Sequence, residues 1–87
     1  QKTKTALREE KKREKAAIEA ARREKARIAN LETQITDLEE QMTKLEIDMS
    51  DPEAYQDNAR AQSMNKRYND LQKKIADLYE EWEQAQS

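Results

Sequence analysis

Met49-Ser50-Asp51-Pro52-Glu53-Ala54-Tyr55-Gln56-Asp57-Asn58 interrupts a chain of 87 residues that is otherwise rich in helix formers. Pro52 has no N–H to donate and its ring clashes with the preceding turn, so a helix arriving at Met49 must stop. Ser50 and Glu53 have the spacing of a capping box, and Asp57-Asn58 offers a second helix start. The stretch predicts a short helical turn begun by Pro52, followed by a new main helix.

On either side of this break the apolar residues keep heptad spacing. Ile28, Leu31, Ile35, Leu38, Met42, Leu45 and Met49 alternate steps of 3 and 4 before it. Ala61, Met64, Tyr68, Leu71, Ile75, Leu78, Trp82 and Ala85 do the same after it. Nearly everything between is polar, so each stretch is a helix with one narrow apolar stripe. Stripes of 7 and 8 layers joined by a short break are best buried against each other. The predicted fold is all-α: an antiparallel two-helix coiled-coil hairpin, monomeric because it closes its own seam. The expected segments are helix 28–49, tip 50–58 and helix 59–86 within a hairpin of residues 28–87. Met42 should face Tyr68, Leu38 Leu71, Ile35 Ile75, Leu31 Leu78, and Ile28 Trp82. Ile47 and Tyr55 lie off the seams and are expected to meet in a small cluster at the tip, with a partner-facing Tyr55 as the alternative.

Residues 1–27 are a different material. They hold 11 cations against 5 acids, a net of +6, while the remainder holds 6 against 14, a net of −8, which together give the overall −2. The seam fades through Glu24, Ala21, Ala17, Glu14, Glu10 and Leu7, so this basic helical N-terminal extension should overhang the hairpin. Glu9 with Arg13 and Glu19 with Arg23 stand at i,i+4 spacing and support a solvated helix, with fraying toward Gln1. Lys4, Arg8, Lys11, Lys12, Lys15, Arg22, Arg23 and Lys25 are the candidate nucleic-acid-binding residues, since cations recurring at helical spacing can track a phosphate backbone. No aromatic residue precedes Tyr55, which removes base stacking from this segment. The alternative is a purely structural spacer or dimerisation module whose charges only solvate the helix, with Leu7, Ala17, Ile18 and Ala21 pairing with a second chain or a preceding domain.

Composition narrows the chemistry. With no His and no Cys, the chain lacks the usual transition-metal ligands and nucleophile–base pairs, and with no Gly it cannot build the phosphate-cradling turns of nucleotide sites. A chain this small, with 34% hydrophobic against 41% charged residues, cannot enclose a substrate cavity. No catalysis, metal site or cofactor is therefore expected in this chain. The acids Asp48, Asp51, Glu53 and Asp57 at the tip lack the pattern of a calcium loop and read as caps. No apolar run approaches the length of a membrane span, and a soluble, cytoplasmic location is expected. A start at Gln1 rather than Met suggests a fragment of something larger.

The tip Ser50-Asp51-Pro52-Glu53-Ala54-Tyr55-Gln56-Asp57, followed by a heptad helix ending Leu78-Tyr79-Glu80-Glu81-Trp82-Glu83, resembles the C-terminal domain of ABC-F ATPases, the Uup-type members above all. That family's tail is a coiled-coil hairpin with an Asp-Pro-Glu/Asp-x-Tyr tip and a Trp near the end of its last helix. Asp51, Pro52, Glu53, Tyr55 and Trp82 match it here, and the resemblance covers roughly residues 28–84. It implies a tail appended to a non-transporter ATPase that acts on the translating ribosome, with ATP and Mg bound by the parent ATPase domains. It also implies DNA or ribosomal RNA, the ribosome and those parent domains as partners. No catalytic residue carries over.

Overall fold

The computed structural model describes residues 2–87. Helix α1 runs unbroken from Lys4 to Met49, a 3₁₀ turn covers Pro52–Tyr55, and helix α2 runs from Asn58 to Gln86. The molecule is a rod of 80 × 18 × 15 Å. α1 alone accounts for most of that length, since 46 helical residues at 1.5 Å each span about 69 Å. α2 has 29 residues and folds back along the C-terminal part of α1, leaving the N-terminal part of α1 as an overhang.

Each boundary has a local cause. The Thr3 hydroxyl accepts from the Ala6 N–H at 3.1 Å and caps α1. At the other end Ser50 does not open the next helix as its spacing with Glu53 suggests. It closes α1 instead, its Oγ donating to the Ile47 carbonyl at 2.6 Å. Asp51 caps the 3₁₀ turn by accepting from the Glu53 N–H at 3.0 Å, and its extended backbone is what a residue preceding proline adopts. Asp57 caps α2, accepting from the N–H groups of Ala59 at 2.9 Å and Arg60 at 3.3 Å. Three side chains thus settle a reversal that needs no glycine, and no described residue has positive φ.

All 15 seam positions are buried or half-buried. Near the tip Leu45, Met64 and Leu71 form one cluster with Leu38, Met42, Met49 and Tyr68 packed against it. Farther out Leu31, Ile35 and Leu78 form a second, joined by Leu38, Trp82 and Ala85. Leu38 bridges the two, so the seam is continuous. The antiparallel hairpin is therefore the observed fold.

The tip differs from expectation in a second respect. Ile47 remains 64% exposed and Tyr55 46%, and neither joins the core. Ala54, fully buried, occupies the space between the ends of the two helices and packs with Leu45, Met64 and Leu71. The 3₁₀ turn thus places the small Ala54 side chain inward and leaves the Tyr55 ring at the surface.

Candidate nucleic-acid interface

The overhang is built on one continuous helix, so its side chains are placed by the helical repeat alone. Lys4, Arg8, Lys11, Lys12, Lys15, Arg22, Arg23 and Lys25 are all exposed. At 100° per residue they fall within an arc of about 160°, spread along roughly 32 Å of helix. Glu19 is the one acid in that arc, so its net charge is +7. The arc lies on the far side of α1 from Ala17, Ala21 and Glu24, which continue the line of the α2-facing seam.

Ion pairing divides the cations by face. Among the described residues the pairs are Lys2 with Glu10, Arg13 with Glu9 at 3.9 Å, and Arg27 with Glu24 at 3.2 Å. Lys2, Arg13 and Arg27 all lie outside the basic arc, and none of the eight cations within it is paired among the described residues. Glu19 and Arg23, expected as an i,i+4 pair, stay apart because neither side chain gains enough in water to hold it in place. The helix beneath the basic arc is therefore maintained by backbone hydrogen bonds and residue propensity, and the charge of the arc faces solvent.

The hairpin contributes a second polar feature that periodicity does not reveal. Trp82 Nε1 donates to Glu32 Oε1 at 3.2 Å, and the Tyr79 hydroxyl donates to Glu39 Oε2 at 3.1 Å. The two rings meet edge to face, 6.4 Å between centroids with planes at 86°. The hydrogen bond from its hydroxyl to Glu39 is the main cause that raises the Tyr79 pKa above its ordinary 10.0. On the opposite flank Arg67 Nη2 donates to Gln41 Oε1 at 3.4 Å. Tyr79 and Glu39 adjoin because side chains lean toward the N-terminus of their own helix, and in an antiparallel pair those leanings converge. Position labels alone place them too far apart.

The described residues contain no cluster of His, Cys, Asp or Glu able to hold a metal ion, and no helix long and apolar enough to cross a membrane. Depressions along the rod are shallow and open, without an enclosed cavity among them.

A reversal capped by Asp51 at Pro52, with Trp82 half-buried near the free end of the last helix, is the arrangement that the tip motif implies. The family model described as ABC transporter C-terminal domain matches residues 19–86. The chain belongs to this family. It is thus a C-terminal accessory domain of an ABC protein and not the ATPase domain itself. The match begins inside the basic overhang and takes in the whole hairpin. No curated protein and no solved structure matches the chain.

Proposed function

We propose that this domain is the non-catalytic tail of an ABC-F, Uup-type ATPase and that it holds nucleic acid, DNA or ribosomal RNA, without sequence preference through the basic face of its overhang. The observation that carries this reading is the +7 arc of eight exposed cations, none of them ion-paired among the described residues. A cationic stripe of that length follows a phosphate backbone and releases its counterions. Contacts of that kind go to the phosphates and carry no base sequence, and with no aromatic residue before Tyr55 the segment offers no stacking platform. The parent ATPase domains bind ATP and Mg, and the tail adds affinity for the nucleic acid on which they act, the ribosome in the cytoplasm being the setting that the resemblance implies. The hairpin supplies a fixed mount for the overhang, since its fold is complete within one chain.

The test is a salt titration of binding to duplex DNA and to RNA. About six phosphate contacts give a log–log slope near −5 on duplex DNA. Reversing Arg8, Lys11 and Lys15 together flattens that slope toward −2 to −3 by the same relation, roughly 0.9 per contact. Absence of binding at low salt refutes the proposal.

A further inference from the structure

α1 carries a second heptad stripe, one residue on from the α2-facing seam and therefore about 100° around the helix. In its N-terminal half the stripe presents Arg8, Lys15 and Arg22, each seven residues from the next. In its C-terminal half it presents Glu32, Glu39 and Glu46 at the same interval. All six side chains are exposed, and among the described residues none forms an ion pair. Two of the glutamates are nonetheless held in place, Glu32 by the Trp82 indole N–H and Glu39 by the Tyr79 hydroxyl, both neutral donors that leave the carboxylate charge uncompensated. Ala29 precedes Glu32 on the stripe and Thr36 and Thr43 lie between the glutamates, small residues that line two shallow grooves on this side.

We propose that a second copy of this chain docks antiparallel along this stripe, the basic half of each α1 lying on the acidic half of the other. A two-fold axis level with Arg27 opposes Arg8 to Glu46, Lys15 to Glu39 and Arg22 to Glu32 in a single register. The same register sets Ile18 against Thr36 and Lys25 against Ala29. Each charge pair occurs twice by symmetry, and the contact is isologous, so association stops at a dimer. The occupant is a second copy because charge sign, heptad interval and number of residues match between the two halves, which a generic cationic partner does not require. A heptad stripe drifts about 20° per repeat on a straight helix, about 110° between Arg8 and Glu46, so the three pairs face one another together only when the two α1 helices supercoil left-handedly about each other. Exposed pairs of this kind are individually weak and screened, making the dimer a low-salt, high-concentration species. Arg8, Lys15 and Arg22 also belong to the basic face, so dimerisation covers cations that a polyanion would otherwise take.

Sedimentation equilibrium without nucleic acid tests the contact. At about 10 mM salt, where the Debye length is ~30 Å, concentrated chain sediments at twice its 10.3 kDa mass, and above roughly 150 mM it reverts to monomer. Glu32→Lys, Glu39→Lys and Glu46→Lys together abolish the dimer. Adding Arg8→Glu, Lys15→Glu and Arg22→Glu to that triple variant restores it. A wild-type chain that stays monomeric at low salt, a dimer that survives the triple reversal, or a charge-swapped chain that stays monomeric each overturns the proposal. Register is read independently by cysteine pairing, the native chain having no cysteine. Lys15→Cys mixed with Glu39→Cys cross-links on oxidation, whereas either variant alone does not, because its own copies lie about 36 Å apart. Failure of the mixture to cross-link contradicts the register. No nucleic acid enters these measurements, so they stand apart from the preceding proposal.

Discussion

Leu45 and Ile47 lie two residues apart on α1, are both aliphatic, and sit in opposite environments. Leu45 is 6% exposed and packs with Ala54, Met64 and Leu71, while Ile47 is 64% exposed. Leu→Ala in a core costs about 2–5 kcal/mol, the spread reflecting how well the site collapses. A two-helix rod has water on both sides of its seam, so the vacated space hydrates or closes and the cost falls near the low end, about 2–3 kcal/mol. A scaffold of this size holds only some 3–5 kcal/mol in total, so Leu45→Ala removes roughly two-fifths or more of it. Melting should drop by on the order of 10–20 °C, taking about 4–8 °C per kcal/mol for a domain of this length. Ile47→Ala should change stability by no more than about 0.5 kcal/mol, because alanine is the better helix former and little packing is lost. Urea unfolding followed by fluorescence of Trp82, the only tryptophan, reports the hairpin without interference from the overhang. Equal losses from the two variants would refute the assigned register, since it alone distinguishes these positions.

Two further expectations concern the polar contacts. Asp57→Ala leaves the N–H groups of Ala59 and Arg60 without their cap and should destabilise the hairpin by about 1 kcal/mol, measured by the same unfolding curve. Tyr79 should ionise above the ordinary tyrosine pKa, because the hydrogen bond to Glu39 favours its protonated form. Its raised folded-state pKa means that the contribution is fully present below the unfolded value and is lost as pH rises through the folded one. Ultraviolet titration should show this component moving down in Glu39→Gln and disappearing in Tyr79→Phe. A titration unchanged by either substitution would refute the contact.

Much of this fold is legible from spacing because the hairpin has a single buried dimension. A 3-4 repeat names the residues that face the partner helix, and all 15 of them are buried or half-buried. Proline at 52 ends α1 for a reason local to its own ring. What spacing does not show depends on how the chain closes. Ala54 is an unremarkable alanine in sequence, and its burial follows from the way the 3₁₀ turn is set between Met49 and Asn58. Aromatic identity suggests Tyr55 for that place, but the turn buries Ala54 and leaves Tyr55 exposed. Ser50 and Asp51 both qualify as caps by residue type, and only the backbone around Pro52 decides between them. The bonds from Trp82 to Glu32 and from Tyr79 to Glu39 join residues 50 and 40 positions apart, and follow from the lean of side chains once the register is known. The basic face is visible early because charge needs no tertiary contact to be exposed.

The doubling back at Pro52 is tested most directly by one intramolecular distance. Asn30 and Glu81 border the same groove across the two helices. Asn30→Cys and Glu81→Cys in one chain, spin-labelled and diluted into excess unlabelled protein, should give a pulsed-EPR distance of about 20 Å, the helix separation of 8–10 Å plus the label arms. A single distribution near 75 Å, the length of 51 residues of uninterrupted helix, would contradict the hairpin.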